Sequence, residues 1–256
     1  LNVDPVEVVK EVLAPCLMAS GIRHEATAPV AKGMKPALHT LHDLHILRAE
    51  DVVEPFDGRR RAGVEFIARR ARETKRAKIY CYGALTRGLK GESLTEMMEL
   101  TEAGCIGFGQ AEVALKDTQV LQRALQYAAS FGYTVWLRPQ DMYLGRGIAA
   151  SGALATRMGL SGVSVAAETI ALHTIFELVR STRARVHLCR ISSAAGLDLV
   201  RQAKAEGLPV TCDVSVHNLH LTDTDIGFFD SRLRLQPPVR QQRDRDALRL
   251  GLADGT

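Results

Sequence analysis

The chain has 256 residues, 46% of them hydrophobic, and a net charge of +4 from 33 basic and 29 acidic side chains. That length buries a full core and suits one large α/β domain better than two small ones. No apolar run approaches the roughly 20 residues of a membrane span and the N-terminus lacks a basic-then-apolar leader, so a cytoplasmic protein with no membrane partner is expected. Two basic stretches, RRARETKRAK (69–78) and RQQRDRDALR (240–249), lack interleaved aromatics for base stacking. Both read as solvated helix faces, and nucleic acid is not an expected partner. Cys16, Cys81, Cys105, Cys189 and Cys212 are scattered singly with no CxxC pair, as reduced core thiols would be.

From Lys78 onward, short β-branched or apolar runs alternate with amphipathic stretches. AKIYCYGAL (77–85) reads as a strand and LTEMMELTEA (94–103) as a helix. GCIGF (104–108) reads as a buried strand, and DTQVLQRALQYAAS (117–130) as a helix opening on a capping Asp. YTVWL (133–137) is the next strand. A glycine-rich loop leads to the helical SGALATRMG (151–159), and AAETIALHTIFELVRS (166–181) is a longer helix on which His173 is structural. ARVHLC (184–189) is a strand, AGLDLVRQAKAEG (195–207) a helix closed by glycine, LPVTCDVS (208–215) a strand and DRDALRLGLADG (244–255) a last helix.

Strands too apolar to face water, alternating with helices, call for a parallel sheet covered by helices. No GxGxxG follows a strand, and GLKGES (88–93) lacks the GK[ST] ending of a phosphate loop, so nucleotide-binding open sheets lose support. A (β/α)8 barrel of the TIM type is the preferred architecture, and its chemistry would sit at strand C-terminal ends. Those ends offer Arg87, Gln110, Arg138, Asp141, Arg190 and His217. A divalent metal needs several His, Cys, Asp or Glu ligands converging on one point, and only His217, Asp141 and Glu112 qualify.

The stretch YGALTRGLKGESLTEMMELTEAGCIGF (82–108) resembles dihydroorotases of the amidohydrolase superfamily. RVHLCRISSAAGLDLVRQAKAEGLPVTCDVSVHNLHLTDTDI and FDSRLRLQPPVRQQRDRDALRLGLADGT keep that family's order and spacing. The resemblance covers residues 63–256 as a dihydroorotase-like barrel portion; residues 1–62 match poorly and are expected to hold the first barrel elements, and a barrel incomplete at both ends in this chain is an expectation of the same reading. It implies a metal-dependent (β/α)8 hydrolase that cyclises carbamoyl aspartate and reopens the ring, with zinc in the active relatives.

Carried over residue by residue, the resemblance places the family's fifth-strand histidine on Arg138, its sixth-strand histidine on Arg190 and its bridging aspartate on Gln110, in Gly109–Glu112. The substrate-contacting asparagine of the Asn-Pro-Pro motif falls on Gln236, ahead of Pro237 and Pro238. Arginine has no lone pair to donate and stays protonated. Two unit charges about 4 Å apart interact by roughly 4 kcal/mol at an effective dielectric near 20, and a dication beside one arginine suffers about twice that. No cofactor is therefore expected. The arginines could plug the vacated cavity by pairing with Glu112, Asp141, Asp213 or Glu168, or they could bind an anion such as a carboxylate or phosphate.

Asp43–Arg48 weakly echoes the family's first-strand Asp-Leu-His-x-His-x-Arg motif, without its second histidine and too close to the next motif. The favoured reading places His39, His42 and His45, three apart, on one helix face. His217, without partners, reads as structural. The family continues past Leu-Ala-Asp-Gly-Thr into an eighth strand bearing the aspartate base, and this sequence ends at Thr256.

The resemblance implies a non-catalytic dihydroorotase-like protein of pyrimidine synthesis, since inactive members of the family are structural partners of aspartate carbamoyltransferase in oligomeric assemblies. An active amidohydrolase with an atypical mononuclear site built from His45, His217 and a residue beyond Thr256 is the alternative, and a small-anion binding protein using Arg138 and Arg190 is a further one.

Overall fold

The computed structural model describes residues 44–48, 60–74 and 78–256. Strands β1 (Leu44–Arg48), β2 (Lys78–Ala84), β3 (Cys105–Gly109), β4 (Thr134–Leu137), β7 (Arg185–Leu188) and β8 (Val210–Cys212) form one parallel sheet in that spatial order. A separate two-stranded parallel ladder, β5 (Ala149–Ala150) with β6 (Gly162–Val163), interrupts the chain between β4 and β7.

The strand order of the large sheet never reverses. With right-handed crossovers, each new strand added on the same side leaves its helix on the same face. The helices are α1 (Arg60–Thr74), α2 (Met97–Glu102), α3 (Thr118–Ser130), α5 (Val165–Thr182), α6 (Ala194–Ala205) and α8 (Gln242–Asp254), with α4 (Ala153–Met158) inside the β5–β6 excursion and the short α7 (Val216–His220) after β8. Neighbours pack in series: α1 on α2, α3 on α5, α5 on α6 and α6 on α8. Such one-sided winding belongs to a barrel wall; a doubly wound sheet reverses its order.

The helix face of the sheet carries the core. Val135, Leu137, Val186, Leu188 and Val210 pack with Leu172, Ile175, Phe176, Val179, Leu197 and Val200. Burying one such side chain contributes about 1.5–3 kcal/mol, so this face supplies most of the driving force. The alternate residues, on the opposite face, are aromatic and polar. Tyr82 packs on Trp136 at 4.5 Å between ring centroids, and Trp136 on His187 at 4.3 Å. Gly107 makes room for this row, because a Cβ there would lie 3.0 Å from Tyr82 Cε1 and 3.1 Å from the Thr134 carbonyl. The strands therefore alternate, where continuous apolar runs were expected. Among the described residues no helix is long and apolar enough to cross a membrane.

The helix starts follow local chemistry. Asp117 caps α3 by accepting from the Gln119 and Val120 amides at 2.8 and 3.3 Å. Ser164 caps α5 through the Ala166 amide at 3.1 Å.

Two sequence expectations are corrected. His45 lies in β1, paired in parallel with β2, and not on a helix; His39 and His42 lie outside the described residues. The stretch 240–249 is not uniformly solvated: Arg240 and Asp244 are buried. Arg240 donates to Ser192 Oγ at 2.8 Å, and Asp244 accepts from the Ala194 amide at 3.0 Å. In the other basic stretch Arg69, Arg70 and Arg72 are exposed on α1, as expected. Cys81, Cys105 and Cys189 are buried thiols and Cys212 is half-buried; Cys16 lies outside the described residues.

Candidate functional site at the strand ends

Arg138 directly follows β4, and Arg190 follows β7 by two residues. Both converge on Glu112, three residues past β3. Arg138 Nη1 pairs with Glu112 Oε2 and Arg190 Nη2 with Oε1, one guanidinium on each carboxylate oxygen. Gln236 closes the fourth side: its Oε1 accepts from Arg138 Nη1 at 3.2 Å and its carbonyl from Arg190 Nη1 at 2.9 Å. The Arg138 side chain is 9% exposed and that of Arg190 19%, whereas Glu112 is 40% exposed. The cluster is thus anchored from beneath and open above.

Arg190 adopts a left-handed backbone, φ +60°. For a residue with a Cβ this costs roughly 1–2 kcal/mol, and neighbouring bonds hold it there. Its amide donates to Asp213 Oδ1 at 2.6 Å, and the next amide, Ile191, to the Asp213 carbonyl at 2.9 Å.

Beneath that turn lies a second carboxylate. Glu168, in the first turn of α5, is buried and accepts four bonds: Ser192 N at 2.9 Å, Ser192 Oγ at 2.5 Å, Ser193 N at 3.0 Å and Ser193 Oγ at 2.6 Å. Gly196 must be glycine here, since a Cβ would fall 2.0 Å from Glu168 Oε1. The Ser-Ser-Ala-Ala-Gly turn is thereby accounted for as scaffold.

The structure brings together Arg138, Arg190 and Gln236 from the sequence-predicted set, with Glu112 as the carboxylate that joins them. Gln110 is elsewhere: buried, it accepts from Thr86 Oγ1 at 2.9 Å and donates Nε2 to the Leu89 carbonyl at 2.9 Å. Of the carboxylates weighed as arginine partners, Asp141 caps its own turn through the Tyr143 and Leu144 amides, and Glu168 serves the serines. Asp213 holds the backbone of Arg190, as described above. His217 Nδ1 lies 2.9 Å from Ser215 Oγ, and burial lowers its pKa, which favours the neutral ring. His173 is exposed on α5.

Two guanidiniums around one carboxylate offer a dication one ligand and two repulsions, so the residues at this mouth do not fit a binuclear metal centre.

The family described as dihydro-orotase-like matches residues 50–196. The chain belongs to the dihydroorotase-like family of the amidohydrolase superfamily. It is 44% identical over 195 residues to a dihydroorotase-like protein of Pseudomonas aeruginosa, covering 76% of this chain and 46% of that one. A dihydroorotase of Anaeromyxobacter sp. is 37% identical over 198 residues, again 76% of this chain and 46% of the relative. The chain thus spans about half the length of the curated relatives it matches. Among solved structures, the L-hydantoinase of Arthrobacter aurescens superposes with a TM-score of 0.63 at 17% identity, over 84% of this chain and 48% of that one. A dihydroorotase of Campylobacter jejuni gives 0.55 at 12% identity, over 82% and 55%. These likenesses concern the fold.

Proposed function

We propose that this dihydroorotase-like chain is the portion of a (β/α)8 barrel that has lost the family's metal chemistry and serves as a structural partner of aspartate carbamoyltransferase in pyrimidine synthesis. The observation that carries the reading is the Arg138–Glu112–Arg190 clamp, in which the two positions matched to ligand histidines are filled by cations paired to one carboxylate. A guanidinium cannot deprotonate to ligate a metal, so the step that needs metal-activated water has no support at this mouth. Gln236, at the position of the substrate-contacting asparagine, is engaged by both arginines. The retained frame, from the Glu168–serine turn to the α6 helix, supports selection for the shape of the barrel wall. We place residues 63–256 in that wall, together with β1, which pairs with β2.

Co-expression with aspartate carbamoyltransferase tests the assembly. A single species containing both chains in fixed ratio by size-exclusion chromatography with light scattering is expected; two independently eluting proteins at micromolar concentration would contradict it.

One observation favours a second reading. Two guanidiniums against one carboxylate leave a surplus positive charge at a partly open mouth, which suits a small carboxylate or phosphate.

A further inference from the structure

One layer below the arginine clamp, on the inward face of the sheet, lies a different set of groups. His187 and Cys189 are two apart on the β7 segment and so share a face. The register of β7 on β8 pairs His187 with Thr211 and Leu188 with Cys212, which puts Asp213 beside Cys189. His187 nitrogen, Cys189 Sγ and an Asp213 oxygen all lie within 4.8 Å of one another. The His187 and Asp213 side chains are 13% and 4% exposed.

We infer that His187, Cys189 and Asp213 form a binding site for one divalent cation of the zinc type, separate from the family's ligand positions. Three features of the geometry carry this. First, the donor set is one imidazole, one thiolate and one carboxylate, all accepted by zinc at about 2.0–2.3 Å. The two anions neutralise the dication, so a buried ion is left without excess charge. Second, His187 is oriented as metal-bound histidines are. Its Nδ1 lies 2.7 Å from Thr211 Oγ1 and its Nε2 3.0 Å from Asp213 Oδ2. When Nδ1–H donates to Thr211, the Nε2 lone pair faces a carboxylate, and a cation between them satisfies both. Trp136 packs against the ring from the β4 side.

Third, Tyr82 is 5% exposed and its hydroxyl is buried with no hydrogen-bond partner. Tyr82 packs on Trp136 and Trp136 on His187, so the phenol belongs to the same inward-facing row of rings. An orphaned buried hydroxyl costs roughly 1–3 kcal/mol. A water as the fourth ligand completes tetrahedral coordination and is the kind of partner that the hydroxyl lacks. A thiol binds zinc as its thiolate, so its proton is released as the ion enters.

Such a site stabilises the barrel interior and leaves the mouth as it is, so it stands or falls independently of the proposed loss of catalysis. The test is titration of the purified protein with Zn2+ and with Co2+ as its spectroscopic substitute. One Zn2+ per chain is expected to survive dialysis. Co2+ is expected to give the near-ultraviolet thiolate charge-transfer band in the native protein and in Cys212→Ser, whose thiol lies on the helix side of β8, but not in Cys189→Ser. Asp213→Asn should weaken Zn2+ binding on the order of tenfold or more. In the native protein itself, Zn2+ should also slow alkylation of Cys189, which requires no variant. Native protein that retains no Zn2+, a cobalt band that survives in Cys189→Ser, or unchanged Cys189 alkylation would each overturn the site, leaving the trio as an ordinary hydrogen-bonded network.

Discussion

Two carboxylates flank the turn that follows β7, and they answer to different demands. Glu168 is 4% exposed and is met by two amides and two hydroxyls, neutral donors fixed by the local chain, with Arg240 behind Ser192. Glu112 is 40% exposed and is met by two long cationic side chains from separate strands. The first arrangement fixes a backbone shape and has no spare valence. The second holds surplus charge at an opening. One turn thus lies between a closed, neutral cradle that shapes the loop and an open, charged clamp at the mouth.

The contrast predicts unequal responses to mutation. Removing the buried acceptor leaves two amides and two hydroxyls unsatisfied, so Glu168→Ala should cost on the order of 3–5 kcal/mol in urea unfolding. Glu112→Ala strands two guanidiniums that still reach water, and a smaller loss of about 1–3 kcal/mol is expected. Here the sign of the second reading becomes visible. Millimolar phosphate should restore part of that loss in Glu112→Ala by replacing the carboxylate, and should do nothing for Glu168→Ala. Equal losses in both variants, or phosphate rescue of neither, would dissolve the distinction.

Much of the wall was legible because its signals are periodic. The strands at 133–137 and 184–189 and the helices at 117–130 and 195–207 reappear within one or two residues. The β5–β6 ladder was not, since two-residue strands carry no period. The spacing of His39, His42 and His45 imitated a helix, but β1 takes its conformation from pairing with β2, a tertiary influence that outranks local pattern. The family resemblance puts Gln110 at the mouth; Thr86 and Leu89 draw its amide away. Arg240 was hidden inside a charged run whose other members are mostly solvated.

The His187–Cys189–Asp213 group escaped for a different reason. No CxxC pair or strand-end motif marks these residues, which come together across two strands one layer down. Reading β7 and β8 in parallel register with a period of two places all three on one face, so the signal was present. In that light Arg190 is the boundary between two layers: its side chain lines the mouth while its amide, bonded to Asp213, tethers the layer beneath.

The central claim is that the arginine clamp has replaced the family's catalytic metal site. The most direct measurement is dihydroorotate turnover by the purified protein, in both directions of the ring reaction, with Zn2+ supplied and its bound stoichiometry recorded. The account predicts a rate indistinguishable from protein-free background whether or not Zn2+ is bound. Turnover that rises in proportion to bound Zn2+ would contradict it.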